Sequence, residues 1–332
     1  MKRTILAGLI ALCFATGWAQ SKKISLRVEG RVDLITEEID ETRIEENSGF
    51  KGKYLNIRMD GDLGQGFTYS YRQRLNKAHA DQSYFDATDW LTLTYTTDNW
   101  SFSGGKQVVG IGGYEYDTAP IDIYYYSEFC SNIPCYQFGA SAAYTTDNGK
   151  DKFMLQCSQS PFRTNAPDMY AYNFMWCGSH GWFNTLYSAN MIEYLPGKFI
   201  SYIALGNKFN VGDFSLELDV MNRATDSHTF FGKDMSVMGK LSWNISNQFT
   251  FFGKASYDVN KTGSDADYCV VSGTEITRVG AGWEYFPIKG SKDVRLHLNF
   301  HYTFGTNGNT AGALIDKQSI ADIGATWRIN IF

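Results

Sequence analysis

Lys23–Ile35 reads KISLRVEGRVDLI, and this stretch decides the fold. Ile24, Leu26, Val28, Val32 and Leu34 lie on one face, while Ser25, Arg27, Glu29, Arg31 and Asp33 lie on the other. Apolar and polar residues alternate with a period of two, as in a β-strand with one wet face. Tyr54–Leu63 repeats the pattern, setting Leu55, Ile57 and Met59 against Asn56, Arg58 and Asp60. Phe67–Leu75 does so again, with Phe67, Tyr69 and Tyr71 opposite Thr68, Ser70, Arg72 and Arg74. The pattern runs on through Asp89–Thr97, Trp100–Val109 and Tyr136–Thr145 to Asp293–Phe304 and Ser319–Ile331. A soluble β-sandwich alternates as well, but it covers each apolar face with a second sheet. The strands here are too many and too long for that.

About sixteen strands are predicted, an even number that fits a closed transmembrane antiparallel β-barrel of the outer-membrane type. The connections alternate in length. Gly64–Gln65, Asp98–Asn99, Gly178–His180, Val211–Gly212 and Asn247 read as tight turns. Thr36–Ser48, Asn76–Thr88, Gly110–Pro134, Ala224–Asp234, Val259–Gly273 and Gly305–Lys317 read as long loops, and only Leu195–Lys198 breaks the rule. Short periplasmic turns alternating with long external loops set the orientation. All six prolines fall in connections, as strand hydrogen bonding demands. Trp90, Tyr95 and Trp100, then Trp243 and Phe249, then Trp283 and Tyr285 flank short turns, where interfacial aromatic girdles belong. The closing Trp327–Phe332 is similar to the assembly signal of outer-membrane barrels, although Asn330 stands where an aromatic is usual.

The compartment follows from the N-terminus. Lys2 and Arg3 precede an apolar run from Ile5 to Trp18, with a cleavage site expected before Gln20. Residues 1–19 are thus predicted to be a secretory signal peptide and 20–332 a single barrel domain. No other stretch has the roughly 20 apolar residues of a membrane helix. Mean hydropathy is slightly negative, yet Tyr and Phe number 21 and 23, a combination that alternate lipid-facing residues explain. The chain is mildly acidic without a basic stripe, so nucleic acid is not an expected partner. Outer-membrane lipid and lipopolysaccharide are. Beyond Cys13 five cysteines remain, and Cys130 and Cys135, bracketing Ser-Asn-Ile-Pro, are the candidate disulfide. No Cys/His spacing resembles a zinc site, and neither a metal nor a cofactor is expected.

One connection stands apart. Gly110–Pro134 spans roughly 25 residues, far beyond hairpin length, and loops of that size are commonly functional. It carries Glu115, Asp117, Asp122 and Glu128 interleaved with Tyr114, Tyr116, Tyr124, Tyr125 and Tyr126, and after Lys106 it has no basic residue. The inward strand faces carry Arg27, Arg31, Arg58, Arg72 and Arg74 on the first three strands, and Lys240, Lys254, Arg278, Arg295 and Arg328 on the last five. Ring closure would join these into one basic wall. Folded inward, the loop would constrict the lumen with Tyr114, Glu115, Tyr116, Asp117, Asp122 and Glu128, facing Arg27, Arg58, Arg72 and Arg74 across a transverse field. The competing reading is local pairing of the wall charges with Glu29, Asp33, Asp60, Glu284 and Asp293.

Gly105-Lys-Gln107, Gly112-Gly-Tyr-Glu-Tyr-Asp117 and Pro120-Ile-Asp-Ile-Tyr124 resemble the fifth strand and third loop of the phosphate-selective porin O/P family. The resemblance implies a sixteen-stranded, homotrimeric outer-membrane porin with its third external loop folded inward. Phosphate-selective members carry arginines and lysines on that loop, and this chain has none there. The expectation is therefore a general or weakly selective diffusion channel for small polar solutes and ions. A phosphate- or other anion-selective channel and a non-conducting structural or adhesive barrel are the alternatives. An enzyme is not expected, since His297 and His301 point inward with no serine placed beside them.

Overall fold

The computed structural model describes residues 24–77, 84–162, 168–226, 231–310 and 317–331. The predicted signal peptide and the terminal Phe332 lie outside the described residues. Sixteen long antiparallel strands follow one another around the wall. They are β1 (Ile24–Ile39), β2 (Gly49–Gly64), β3 (Phe67–Arg74), β4 (Thr88–Thr97), β5 (Trp100–Val108), β6 (Tyr136–Thr145), β7 (Asp151–Gln159) and β8 (Tyr170–His180). The second half comprises β9 (Phe183–Leu195), β10 (Lys198–Val211), β11 (Phe214–Ala224), β12 (Asp234–Asn244), β13 (Phe249–Asn260), β14 (Glu275–Tyr285), β15 (Val294–Thr306) and β16 (Gln318–Asn330). A two-residue bridge, Thr42–Arg43, folds back on the end of β1.

Each strand pairs with its neighbours in sequence, and β1 closes the ring against β16 from Arg27↔Asn330 to Glu38↔Ser319. Closure leaves no strand edge, so the ladder satisfies its own backbone donors and acceptors, as lipid requires. The side chains follow an inside-out rule. Leu34, Leu91, Leu155, Leu298 and Ile323 are exposed on the outer surface, while Asn56, Asn173, Asn190, Asn299 and Thr303 are buried on the inner one.

The tight turns fall close to the predicted positions, and their sequences explain the shifts. Gln65 and Gly66 occupy the turn after β2 with φ of 54° and 84°, the left-handed pair that fits a right-twisted hairpin. The turn after β8 is Gly181–Trp182 instead of Gly178–His180, because β8 stays paired with β9 through His180↔Phe183. Aromatic pairs ring this end of the barrel: Phe67–Tyr95 at 4.7 Å, Phe183–Phe209 at 5.1 Å, Phe214–Trp243 at 5.6 Å and Phe249–Tyr285 at 4.6 Å between centroids. Trp90 does not belong to the ring. It faces the lumen, where Nε1 donates to Ser70 Oγ at 2.8 Å and the Arg72 guanidinium lies 3.9 Å from its ring centroid.

At the long-loop end the barrel is not simply hollow. Val109, Ile111, Phe129 and Ile133 of the third loop pack with Ile192, Ile200, Tyr202 and Met221 of β9–β11 into a buried apolar cluster. Phe162, Ala266, Cys269 and Val270 from two other loops join it. An inward strand face is apolar here because it meets protein instead of water.

Candidate functional site: the loop across the lumen

The loop leaves β5 at Val109 and is drawn inward at once. The Gly110 N–H donates to Gln156 Oε1 at 2.7 Å, and its carbonyl accepts from Asn190 Nδ2 at 2.7 Å. Gly112 and Gly113 then run against the barrel backbone, the Gly112 N–H reaching Ser188 Oγ at 2.8 Å and the Gly113 N–H the Leu186 carbonyl at 3.1 Å. A Cβ on Gly112 would stand 2.6 Å from the Leu186 carbonyl oxygen, and Gly113 has φ +109°, so side chains at this crossing are excluded.

Two short helices follow, α1 (Tyr114–Asp117) and α2 (Glu128–Asn132), and barrel carboxylates cap both. Asp219 of β11 accepts the Tyr114 and Glu115 N–H groups at 2.9 and 2.8 Å. Asp258 of β13 accepts those of Glu128 and Phe129 at 2.8 and 3.3 Å. These are the free donors of a helix start, and the wall supplies the anions they attract. Ser127 completes the α2 cap by accepting the Cys130 N–H at 3.2 Å.

Three of the four loop acids are held by cations of the facing wall. Glu115 binds Lys254 Nζ at 2.5 Å and also accepts the Ser127 N–H and Oγ–H at 2.8 and 2.5 Å. Burial alone would raise the Glu115 carboxyl, but the Lys254 ammonium and the Ser127 donors hold it below its ordinary value. Asp122 takes Arg328 at 2.6 Å and Arg295 at 3.1 Å, and Glu128 takes Arg278 at 2.5 Å. The tyrosines extend the seam. Tyr124 Oη donates to Glu284 at 2.7 Å, Tyr125 Oη to the Lys254 carbonyl at 2.5 Å, and Arg31 donates to the Ile123 carbonyl at 2.7 Å. Tyr126 and Tyr54 bring their hydroxyls to 3.3 Å.

The predicted opposition is thus corrected in its partners. The loop acids pair with cations of β13–β16, and Arg58, Arg72 and Arg74 pair with acids of their own stretch of wall. Arg72 and Arg74 both bind Asp89, at 2.7 and 3.0 Å. A bulge at Arg72/Gln73 opposite Thr88–Trp90 turns Asp89 to the arginines' side, which simple alternation misses. Arg58 pairs with Asp60 at 2.7 Å, and Arg27 reaches Glu29 at 3.8 Å and Asn330 at 2.8 Å, both at the local range of the competing reading. Arg31 and Arg295 do meet the loop, and each also has a wall partner, Asp33 at 2.8 Å and Glu284 at 3.2 Å.

The loop's own residues divide. Tyr116 turns away from open space and packs on the apolar cluster, its ring 6.4 Å from that of Phe129. Asp117 is exposed, and among the described residues no ion pair joins it. Tyr114 beside it has the Lys208 ammonium 5.5 Å from its ring centroid. Cys130 and Cys135 are free thiols, a correction to the candidate disulfide. Cys130 lies on α2, held by the Ser127 cap, and the Cys135 thiol donates instead to the Ile133 carbonyl at 3.3 Å. Above the loop a cavity of about 610 Å³ opens between Lys51, Lys53, Tyr124, Tyr126, Arg278 and Thr303.

Comparison with known proteins bears on the barrel that holds this loop. The family described as phosphate-selective porin O and P matches residues 26–181. No curated protein sequence matches. Among solved structures, the anion-selective porin from Comamonas acidovorans superposes with a TM-score of 0.66 at 12% identity, covering 93% of this chain and 100% of that one. In-vitro folded OmpT, an outer membrane protein of Vibrio cholerae, gives 0.64 at 12% identity over 94% and 99%. Its trimer form gives 0.61 at 12% identity over 93% and 100%. Residues 26–181 are thus similar to the family described as phosphate-selective porin O and P, and the chain as a whole has the porin fold.

Proposed function

We propose that this chain forms an outer-membrane diffusion channel for small polar solutes and ions, narrowed by the segment Val109–Cys135. The observation that carries the reading is the ion-paired seam. Glu115–Lys254, Asp122–Arg295 and Glu128–Arg278 tie that segment to inward-facing strand residues, where it can only reduce the lumen. A water-filled passage bounded by fixed charges and tyrosine rings discriminates by size and field. The long-loop end faces outward and the short turns face the periplasm, delivery depends on residues 1–19 as a secretory signal, and three copies pack through their apolar outer faces.

Weak anion preference is the favoured refinement. Three of the four loop carboxylates that would attract cations are neutralised by their partners, while Lys51 and Lys53 line the outer cavity. The Comamonas acidovorans porin, described as anion-selective, has the same fold. Reconstitution in a planar bilayer tests the proposal: stepwise conductance increments and a reversal potential displaced modestly toward the anion side in a KCl gradient are expected. A folded barrel that inserts without conducting would be the structural or adhesive protein instead.

A further inference from the structure

Asp33, His297 and Asp322 are far apart in sequence and belong to three adjacent strands. Asp33 pairs with Gly324 across β1–β16, and Gly324 pairs with His297 across β16–β15. All three side chains point inward and are buried. We propose that they bind one divalent first-row metal ion of the Zn²⁺ class on the inner wall of the barrel.

The two separations from the imidazole are those of ligands around a shared ion. His297 Nε2 lies 3.1 Å from Asp33 Oδ1 and 3.3 Å from Asp322 Oδ1, and one donor atom from each residue falls within 4.8 Å of the others. Zinc–nitrogen and zinc–oxygen bonds of about 2.0–2.2 Å place tetrahedral ligands roughly 3.3–3.5 Å apart. A protonated histidine between two carboxylates would show similar distances, but it would aim an N–H at one of them. Neither contact has hydrogen-bond alignment, and both ring nitrogens are without a hydrogen-bond partner although His297 is only 3% exposed. Nε2 has one oxygen of each carboxylate within 3.3 Å.

The surroundings hold the donors in place and leave room for the ion. Arg31 forks onto Asp33, Nε to Oδ1 at 3.1 Å and a terminal nitrogen to Oδ2 at 2.8 Å, and Asn299 Nδ2 donates to Asp322 Oδ2 at 2.7 Å. Such outer contacts orient ligating carboxylates. Two carboxylates and one guanidinium leave a net negative charge beside the imidazole, which suits a divalent cation. Arg31 also lies 3.9 Å from Asp322 Oδ1, while Arg295, the other nearby cation, is engaged by Asp122 and Glu284. The Tyr124 ring covers His297 at 4.7 Å, and Asp33, Tyr124 and Asp322 border the 610 Å³ cavity, which gives an ion its way in. Gly324 keeps the site open, since a Cβ there would stand 2.3 Å from Asp33 Oδ1 and 2.8 Å from His297 Cε1.

Titration of the chelator-treated, detergent-solubilised full barrel with ZnCl₂ by calorimetry, and with CoCl₂ by visible absorption, tests the site. One equivalent of Zn²⁺ per chain at micromolar or tighter affinity is expected, with Co²⁺ d–d bands that Zn²⁺ displaces. His297→Gln and Asp322→Asn should each weaken binding at least tenfold and abolish the bands. His180→Gln, at a surface histidine beside Asp151, should leave both unchanged. Asp322→Asn is nearly isosteric, and gel migration before and after boiling verifies that each variant is folded. Zn²⁺ binding that survives both substitutions, or no stoichiometric binding by the native protein, overturns the proposal.

Discussion

At the scale of single residues, charge pairing separates the acids that hold the loop from the one that faces solvent. Glu115 and Lys254 are buried together, and removing one partner strands a charge at a cost of about 3–5 kcal/mol. Lys254→Met should therefore lower the unfolding temperature in detergent sharply, and Glu115→Gln in the same chain should restore much of the loss. The pH dependence has a definite sign. The folded-state pKa of Glu115 lies below its ordinary value of 4.5, so its contribution is complete above that value and disappears as pH falls through the folded one. Acid unfolding curves should show this loss in the native protein and not in Glu115→Gln. Asp117 has no such partner and meets the lumen. Asp117→Asn should move the reversal potential toward anions, whereas Glu115→Gln should leave it unchanged. Equal shifts from both would mean that Glu115 is not sequestered by Lys254.

At the scale of elements, strand alternation was readable because geometry imposes it: lipid outside and water or packed polar groups inside demand a period of two. β3, β5 and β6 match their predicted spans to within a residue. β2 begins at Gly49, earlier than the predicted Tyr54, because Gly49–Lys53 has no apolar alternation to mark it. The loop's character was legible from its glycines and acids, and so was the basic wall on the last strands. Its partners were not, since Asp219 and Asp258 look like any inward polar residue until the chain closes and brings them to the α1 and α2 termini. Asp89 escaped for a different reason, the bulge that resets facing after Arg72, whereas Trp90 faces inward by plain alternation with the outward Leu91 and Leu93. The loop thiols give a further test. Burial pushes the Cys130 thiol well above its usual value, so it should resist alkylation in the folded barrel. Unfolded without reductant, Cys130 and Cys135 should both label, and a mass two hydrogens lower on the peptide joining them would contradict the free thiols.

At the scale of the whole molecule, closure and filling act together. The ring has no edge from which to unzip, and the third loop, the Cys269 segment and β9–β11 add an internal apolar core that open porin lumens do not require. Unboiled protein should therefore resist SDS and migrate differently from boiled protein, and a single boiling-independent band would argue against the closed ring. The central claim is that Val109–Cys135 narrows the lumen from within, and single-channel conductance after replacing Gly113–Ser127 with a short glycine linker tests it most directly. In a variant that still shows heat-modifiable migration, conductance should rise severalfold over the native channel. Native conductance with the segment removed would contradict the account.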